Sequence, residues 1–489
     1  MLFNSISFLI FFPIVVVLYF LIPHKYRWIF LLAASYYFYM SWKPEYIILI
    51  IVSTLIDYFA SLHMEKQKEK KKKKKFLILS LISNLGLLFT FKYYNFFSNS
   101  LNVLLNKFNI FYDSPTFKLL LPVGISFYTF QTLSYSIDVY RGTKKAEKHL
   151  GYFALYVSFF PQLVAGPIER STRLLPQFFE KHKFNSQRVS DGLKLMAWGF
   201  FKKVVIADRV AALVNQVYNN SEAYGGIPLL LATYFFAVQI YCDFSGYSDI
   251  AIGAAQVMGF SLMDNFRRPY YSKNISEFWS RWHISLSTWF KDYLYIPLGG
   301  NRVSKPRWYA NLFIVFLVSG LWHGANWTFV IWGALHGFYL IFALWTKNIR
   351  EKIYNLFSIP KESLLKKYIN VFVTFHLVLF AWVFFRANTV NDAFNIVSKM
   401  LNVDPITFIK HATTLNFNVN LGLSKYEIFI AICSIIIMEI IHLYQRHNRM
   451  REFLSSKPRL IRWSIYYLII IFILIFGEFN LTQFIYFQF

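Results

Sequence analysis

Long apolar runs recur along the whole chain, and they constrain its fold more than any other feature. Each run extends for roughly 17–23 residues, the length that an α-helix needs to cross a hydrocarbon core of about 30 Å. About eleven runs are clear, and they begin near Ile6, Arg27, Tyr46, Phe76, Leu120, Ile227, Trp308, Asn326, Tyr368, Tyr426 and Ile461. With 56% hydrophobic and only 16% charged residues among 489, a soluble fold could not hide this much apolar surface. The sequence therefore predicts an all-α, polytopic membrane protein.

Some apolar stretches are short and are interrupted by Gly and Pro. Examples are LPVGISF at residues 121–127 and LVAGPIER at residues 163–170. Irregular backbone is tolerated at membrane depth only where protein or a water-filled cavity surrounds it, so we expect re-entrant or broken segments beside the spans. The sequence has no internal repeat, and its longest loops, at about 25–40 residues, are too short for a separate catalytic domain. Residues 1–489 are therefore expected to form a single membrane-embedded domain.

The positive charge of the chain is concentrated in short segments. The formal net charge is +26, and the densest cluster is EKQKEKKKKKK at residues 65–75. Such a run invites a nucleic-acid interpretation, but apolar spans flank it on both sides, and basic residues in short loops mark the cytoplasmic face of a membrane. Lys25 and Arg27 follow the first span, which predicts that the N-terminus lies outside and residues 65–75 inside. Residues 214–227 and 388–423 are poor in Lys and Arg and are expected outside.

The cysteines and histidines do not have the spacing of a metal site. Cys242 and Cys433 lie in apolar runs far apart in the sequence, which supports neither a disulfide framework nor a zinc site. No HExxH motif or similar ligand spacing occurs. We therefore expect no metal and no permanently bound cofactor.

One histidine lies in a stretch that has the pattern of an amphipathic helix, EFWSRWHISLSTWFKDYLYIPLGG at residues 277–300. On a continuous helix its large apolar residues would form one stripe, whereas His283 would lie on another face; the stripe comprises Trp279, Trp282, Leu286, Trp289 and Tyr293. A tryptophan-rich amphipathic helix flanked by basic loops is typical of the membrane interface. His283 is therefore either an interfacial residue or a functional one.

A second stretch, VSGLWHGANWTFVIWGALHG at residues 318–337, is almost wholly apolar but contains His323 and His336. If a helix begins near Trp308, His323 lies about fifteen residues along it, or roughly 20–24 Å from the cytoplasmic boundary. Ionisable groups at such depth are costly and usually functional, and the neighbouring glycines allow the backbone to approach closely or break. His336 would be rotated from His323 by roughly 220° on a continuous helix, so we predict that the two rings do not share a face and that His336 is structural.

Other ionisable residues within apolar runs have no second chemical signal beside them. His376 and His442 are predicted to be structural histidines. In QIYCDFSGYSDIAIG, Asp243 and Asp249 allow two interpretations. They orient a catalytic group or line a polar tunnel, or they form helix–helix hydrogen bonds. The sequence favours neither.

Together, the two histidine motifs resemble those of the membrane-bound O-acyltransferase family. RWHISLSTWFKDYLYIPLGG is followed, about forty residues after its histidine, by GLWHGANWTFVIWGALHG. The segments MLFNSISFLIFFP, SYYFYMSW, DFSGYSDIAIG and FIYFQF resemble the bacterial branch of alginate and peptidoglycan O-acetyltransferases. The resemblance extends nearly from end to end. It implies a ring of helices around a thin central catalytic region in a bacterial plasma membrane.

The resemblance also implies roles for individual residues. The invariant histidine of the family corresponds to His323, and its second polar position, a histidine or asparagine, corresponds to His283. Acetyl-CoA or a similar acyl donor would arrive from the cytoplasm as a substrate, and a separate extracytoplasmic esterase-like protein would be the partner. Acid–base chemistry then makes His323 the base and His283 the group that orients the thioester or binds the oxyanion. Arg267, Arg268 and Lys273 are either partners for CoA phosphates or topology determinants.

Two other functions remain open at this point. A transporter or flippase for a lipid-linked sugar would also have many spans, broken helices and intramembrane polar residues, but it would often show an internal repeat. Within acyl transfer, D-alanyl transfer to teichoic acid would use the same two histidines. An enzyme is preferred over a transporter because the sequence has no internal repeat and because the two histidine motifs occur together. The resemblance to the alginate and peptidoglycan branch implies acetyl transfer to a cell-surface polysaccharide as the reaction.

Overall fold

The computed structural model describes residues 1–110, 115–117, 121–357, 360, 363–404, 420–445, 453–454, 456–479 and 484–485. Within these residues the chain forms helices and no β-strand. Seven of the helices described are long and apolar enough to cross a membrane: Pro44–Lys66, Lys70–Asn106, Gly226–Met258, Trp327–Trp345, Leu364–Arg386, Lys425–Tyr444 and Arg459–Phe476. The prediction of an all-α, polytopic membrane protein is confirmed.

Four of the apolar runs that the sequence suggests as spans form helices outside this set of seven. They begin near Ile6, Arg27, Leu120 and Trp308, and the corresponding helices are Ile6–Leu21, His24–Met40, Ile125–Arg141 and Lys305–His323. The first three have 16 or 17 residues and extend for only about 24–26 Å. The fourth begins with two basic residues in its first turn. Of the eleven runs, seven therefore form helices long and apolar enough to cross a membrane, and the other four stay predictions as spans.

The remaining described helices are shorter or more polar. They are Leu150–Ser158, Phe160–Leu163, Ser171–Leu174, Leu175–Phe179, Ser186–Phe200, Phe201–Ala207, Asp208–Asn219, Pro269–Tyr271, Ile275–Arg281, Ile284–Phe290, Lys291–Tyr295, Lys347–Leu356 and Val390–Leu401. The LVAGPIER segment is non-helical from residue 164 to residue 170, and LPVGISF becomes helical only after Gly124, whose φ is +76°. The predicted broken segments are therefore confirmed.

Parts of two predicted segments lie outside the described residues. They are residues 405–419 of the stretch expected outside and the last four residues of FIYFQF. The Lys-rich cluster at residues 65–75 is described, and most of it is helical because one helix ends at Lys66 and the next begins at Lys70.

The chain divides into two compact units. The first unit consists of Met1–Met196, Ile250–Asp264 and Thr288–Tyr293. A buried carboxylate ties three of its helices together. Asp57 accepts hydrogen bonds from Ser80 Oγ at 2.5 Å, Asn84 Nδ2 at 2.9 Å and Ser136 Oγ at 3.1 Å. Polar contacts of this kind hold helices together where lipid weakens the hydrophobic driving force.

The second unit consists of Ala197–Asp249, Asn265–Ser287 and Leu294–Phe489, and it contains both histidine motifs. Its interior holds two lysine–aspartate systems. Lys203 Nζ lies 2.8 Å from Asp208 and 2.7 Å from Asp243, and Lys202 Nζ lies 2.6 Å from Asp249. Buried charges persist when they are paired in this way. These contacts favour the helix–helix interpretation of the two aspartates in DFSGYSD over a role in orienting a catalytic group.

Candidate active site

His323 lies at the end of the first helix of a tight hairpin. We call helices Lys305–His323 and Trp327–Trp345, with the residues between them, the WHG hairpin. The first helix ends because Gly324 is extended, with a φ of −161°. The second begins after Asn326, whose side-chain oxygen accepts the N–H of Thr328 at 3.1 Å. The assumption of one continuous helix through both histidines is therefore wrong, because the backbone breaks immediately after His323.

Glycines allow the two helices of the WHG hairpin to pack backbone against backbone. A Cβ added to Gly320 would lie 2.3 Å from the carbonyl oxygen of Phe329, and one added to Gly333 would lie 2.3 Å from that of Phe316. Real Cβ atoms do not approach an oxygen so closely. Small residues of this kind permit close helix packing in membranes, and here they fix the position of the helix end that carries His323.

Aromatic rings surround His323, which is only 2% exposed. The centroid of its ring lies 4.8 Å from Trp332, 5.1 Å from Trp322 and 5.5 Å from Phe385, and each pair is edge-to-face. Two of these neighbours come from the hairpin itself, and Phe385 comes from helix Leu364–Arg386. The environment is therefore dry and rigid, which strengthens any electrostatic interaction that the imidazole makes there.

His283 lies in a break between two short helices, which we call the RWH turn (residues 281–285). One helix ends at Arg281 and the next begins at Ile284, so the single amphipathic helix predicted for residues 277–300 is wrong. The break occurs because His283 is left-handed, with a φ of +43°. A residue just past a helix end often adopts this conformation, and it is usually Gly or Asn. The carbonyl oxygen of His283 then accepts the N–H groups of Leu286 and Ser287, which starts the next helix.

The side chain of His283 is fully buried, which contradicts the interfacial alternative. Its ring and that of Phe244 are edge-to-face, with centroids 4.5 Å apart. Burial lowers the pKa of His283 to about 3, because an apolar environment disfavours the imidazolium cation. A neutral imidazole presents one hydrogen-bond donor and one acceptor.

The structure brings the two predicted site residues together. The ring centroids of His283 and His323 are 6.5 Å apart, with 60° between the ring planes. Both residues belong to the second unit, although forty positions separate them in the sequence. One small group that bound between them would contact both imidazoles. This is the geometry that two residues acting on the same reacting bond require.

Three further histidines each make a hydrogen bond to the protein. Trp279 Nε1 donates to His336 Nδ1 at 3.2 Å. The Nε2 atoms of His376 and His442 lie 2.8 Å and 3.3 Å from tyrosine hydroxyls. These contacts are consistent with the structural role predicted for the three residues.

Of the three basic residues suggested for CoA phosphates, Arg268 has its side chain engaged with the protein. Arg268 donates to the carbonyl oxygen of His442 at 3.1 Å, at the end of helix Lys425–Tyr444. The backbone N–H of Lys273 donates to Glu277 at 2.8 Å. For Arg268 these contacts favour a structural role. Across the described ranges, no group of three or more His, Cys, Asp or Glu is placed to hold a metal ion.

Three residues are connected to the RWH turn although no periodicity in the sequence points to them. They are Phe244, Ser248 and Asn265, of which Phe244 and Asn265 contact the turn itself and Ser248 reaches it through Asn265. The first two belong to DFSGYSD, a segment in which only the aspartates stand out as candidates. Asn265 precedes His283 by 18 positions, and no periodicity connects the two residues. Only the folded chain shows that these side chains are connected to the turn.

Comparison with known proteins places the two histidines in a family context. The sequence profile of the membrane-bound O-acyltransferase family matches residues 148–387, a range that includes both. The chain is 42% identical over 405 residues to "Probable alginate O-acetylase AlgI" of Pseudomonas aeruginosa, which covers 82% of this chain and 75% of that protein. The chain belongs to the membrane-bound O-acyltransferase family. It is therefore an O-acyltransferase, and the transporter alternative is set aside.

Two further relatives of this O-acyltransferase show how its similarity is distributed within the family. The chain is 37% identical over 405 residues to "Peptidoglycan O-acetyltransferase" of Helicobacter pylori, covering 77% of this chain and 74% of the relative. Its identity to "Teichoic acid D-alanyltransferase" of Bacillus subtilis is 28% over 290 residues, covering 55% and 70%. The similarity is thus higher and more extensive to the two proteins named as O-acetyl-transferring enzymes.

Proposed function

We propose that this enzyme transfers an acetyl group from cytoplasmic acetyl-CoA, or a similar acyl donor, to an acceptor on the extracytoplasmic side for O-acetylation of a cell-surface polysaccharide. The observation that carries the proposal is the pair of buried imidazoles 6.5 Å apart, supplied by two separate motifs of the family. The names of the most similar relatives support acetyl as the group and an alginate- or peptidoglycan-type polymer as its destination.

In this mechanism His323 is the general base. It takes the proton from the acceptor hydroxyl as the hydroxyl oxygen attacks the thioester carbonyl carbon. The C–S bond then breaks, and the proton passes to the departing thiolate, so the products are an ester and a free thiol. A positioned base of this kind contributes roughly 10²–10⁴-fold to the rate. The dry aromatic surroundings of His323 exclude water, which would otherwise hydrolyse the thioester.

His283 is the group that orients the thioester or binds the oxyanion that develops on its carbonyl oxygen. A neutral imidazole suits this role because it already carries an N–H group that can donate a hydrogen bond to the oxyanion, so no prior proton transfer is needed. A preorganised donor directed at a developing oxyanion contributes about 3 kcal/mol to transition-state stabilisation. The asparagine that the family admits at this position also has an N–H donor, which supports donation rather than proton transfer.

The setting of the reaction is also part of the proposal. The chain is a multi-pass membrane protein, and we place it in the bacterial plasma membrane with its N-terminus outside and residues 65–75 in the cytoplasm. Both compact units would act as one acyltransferase domain, since the similarity to the relatives covers 82% of the chain. A separate extracytoplasmic esterase-like protein would receive the acetyl group or complete its delivery to the polysaccharide.

The decisive variant is His323→Ala. We expect a fall of at least about 10²-fold in ester-linked acetate on the cell-surface polysaccharide, because no other group there replaces the lost base. The measurement is acetate released from the polysaccharide by mild alkali, in cells that express each variant at matched membrane abundance. D-Alanine is quantified in the same hydrolysate, because the teichoic acid alternative predicts its loss instead.

The matched control is His336→Gln. The glutamine amide oxygen can still accept the hydrogen bond from Trp279, so we expect most acetylation to be retained. Near-normal acetate with His323→Ala would contradict the mechanism. Complete loss with His336→Gln at normal abundance would mean that the wrong histidine of the WHG hairpin has been assigned to catalysis.

The topology has its own test, with single cysteines as reporters. A cysteine at Gln67 should resist a membrane-impermeant thiol reagent in intact cells, because the Lys-rich cluster around it is placed in the cytoplasm. A cysteine at Ala223, an exposed residue in the stretch expected outside, should react readily. The parent chain provides the blank for Cys242 and Cys433. Labelling at Gln67 without labelling at Ala223 would reverse the proposed orientation.

A further inference from the structure

The RWH turn is held in its unusual conformation by a second segment of the second unit. A left-handed backbone is disfavoured for a residue that has a Cβ, and it persists only where the surroundings enforce it. Two backbone hydrogen bonds hold the turn, one before His283 in the sequence and one after it. The N–H of Arg267 donates to the carbonyl oxygen of Arg281 at 2.9 Å, and the N–H of Ile284 donates to that of Asn265 at 3.0 Å.

The side chain of Asn265 adds three hydrogen bonds to this arrangement. Its Oδ1 accepts from the backbone N–H of Ser285 at 3.3 Å and from Ser285 Oγ at 2.8 Å. Its Nδ2 donates to Ser248 Oγ at 3.2 Å. Asn265 is 1% exposed and Ser285 is fully buried, so water does not compete for these contacts. Asn265 thus links the backbone just after His283 to Ser248.

Ser248 and Phe244 belong to the part of helix Gly226–Met258 that lies in the second unit. They are four positions apart and therefore lie on the same face of that helix. Phe244 contacts the imidazole of His283 at 4.5 Å between centroids, while Ser248 reaches the backbone beyond it through Asn265. One helical face thus constrains the ring of His283 directly and its backbone indirectly.

We propose that Asn265 is the positioning residue that keeps His283 in the left-handed conformation in which its ring faces His323. This inference rests on the proposed function, because Asn265 acts only through His283. An amide fits the position because the contacts require an acceptor for Ser285 and a donor for Ser248. Aspartate would lack the donor and bring a charge into a buried site, and leucine would leave the Ser285 N–H without its acceptor.

The first test compares Asn265→Ala with Asn311→Ala. Asn311 is a matched control because it is 3% exposed, belongs to the same unit, and donates from Nδ2 to the carbonyl oxygens of Leu298 and Gly300 at 3.2 and 3.0 Å. It lies in the first helix of the WHG hairpin but about 18 Å along that helix from His323, and it contacts neither histidine of the site. Both variants remove a buried amide that holds a loop. At matched membrane abundance we expect Asn265→Ala to lower polysaccharide acetylation about tenfold or more, because small misplacements of catalytic groups are costly. Asn311→Ala should stay within about twofold of the wild type.

The second test asks whether Asn265 acts through the backbone of residue 283. Asparagine visits the left-handed conformation more routinely than histidine because its short polar side chain can hydrogen-bond locally. The His283→Asn variant should therefore depend less on Asn265 to hold that conformation. Asn265→Ala should therefore cost about tenfold in the wild type but less than about threefold in the His283→Asn background. A general loss of stability would give the same fold-loss in both. If His283→Asn is itself inactive, the comparison with Asn311 decides.

The outcomes separate this inference from the proposed function. Equal losses for Asn265→Ala and Asn311→Ala, equal losses of Asn265→Ala in both backgrounds, or near-normal activity of Asn265→Ala would each overturn the role of Asn265. If His323→Ala, measured in the same cells, is inactive while Asn265→Ala is active, only this inference fails. If His323→Ala retains acetylation, the proposed function fails whatever Asn265 does.

Discussion

The WHG hairpin and the RWH turn each place one buried imidazole at the same site, but they do so by different means. In the hairpin, His323 is fixed by glycines that bring two helix backbones into contact, with Gly320 and Gly333 as the contact points. In the turn, His283 occupies a left-handed conformation that hydrogen bonds from another segment hold in place. We therefore expect the hairpin to be disrupted by substitutions that add atoms at its glycines. The turn should instead be disrupted by substitutions that remove its hydrogen-bonding groups.

This difference has a physical origin in the two segments. Helices that pack in a membrane gain stability mainly from close van der Waals contact, because lipid is as apolar as their side chains. A helix end carried by such a pair is rigid without strain, and the backbone at Gly324 is ordinarily extended. The RWH turn has no long helix to position it, so its geometry depends on a network of buried hydrogen bonds. Such a network stabilises one geometry only while all its members are satisfied.

The largest stability effect is expected from adding one methyl group to the hairpin, in Gly320→Ala. The new Cβ would lie 2.3 Å from a backbone oxygen of the partner helix, and backbone cannot rotate away as a side chain does. We expect a loss of about 3 kcal/mol in the free energy of unfolding, at the upper end for overpacking, with loss of acetylation. Thermal unfolding in detergent measures the first and polysaccharide acetate the second.

The control for this prediction is Gly86→Ala. A Cβ at Gly86 would meet no atom within 4 Å, and the residue lies inside a helix, where alanine is favoured over glycine by about 1 kcal/mol. It should therefore leave the protein as stable or make it more so. If Gly320→Ala unfolded at the same temperature as the wild type, the helices of the hairpin would not be in fixed contact, and the contrast with the turn would disappear.

The sequence predicts the parts of this site that depend on hydropathy and on motifs. Seven of the long apolar runs are helices long and apolar enough to cross a membrane. The two motifs bring the rings of His283 and His323 to 6.5 Å, measured between centroids. Periodicity works for these elements because a spanning helix must satisfy its own backbone over its whole length. It fails where a single residue ends a helix.

Both wrong predictions about continuous helices have that cause. Nothing in the pattern RWHIS marks His283 as left-handed, because histidine lacks the signal that a glycine would give at that point. In WHGAN the glycine after His323 allows either close packing or a break, and the pattern alone does not decide between them. Asn265 could not be found at all, since its contacts join residues that are distant in sequence. Only tertiary structure shows which segment holds a strained turn.

A smaller effect tests the strain in the turn itself, through the stability difference between His283→Gly and His283→Ala. Both variants delete the imidazole, so each removes nearly the same packing against Phe244. They differ in the backbone. At a φ of +43° alanine carries the penalty of a Cβ and glycine does not, so the glycine variant should unfold with a free energy about 1 kcal/mol higher. Gly86 and Gly86→Ala are the control, because at a helical position alanine should be more stable than glycine.

If alanine were the more stable residue at both positions, the turn would relax out of the left-handed conformation once the imidazole of His283 is removed. His283 would then be held by its side-chain contacts rather than by Asn265 and the backbone bonds around it, and both imidazoles would depend on packing alone.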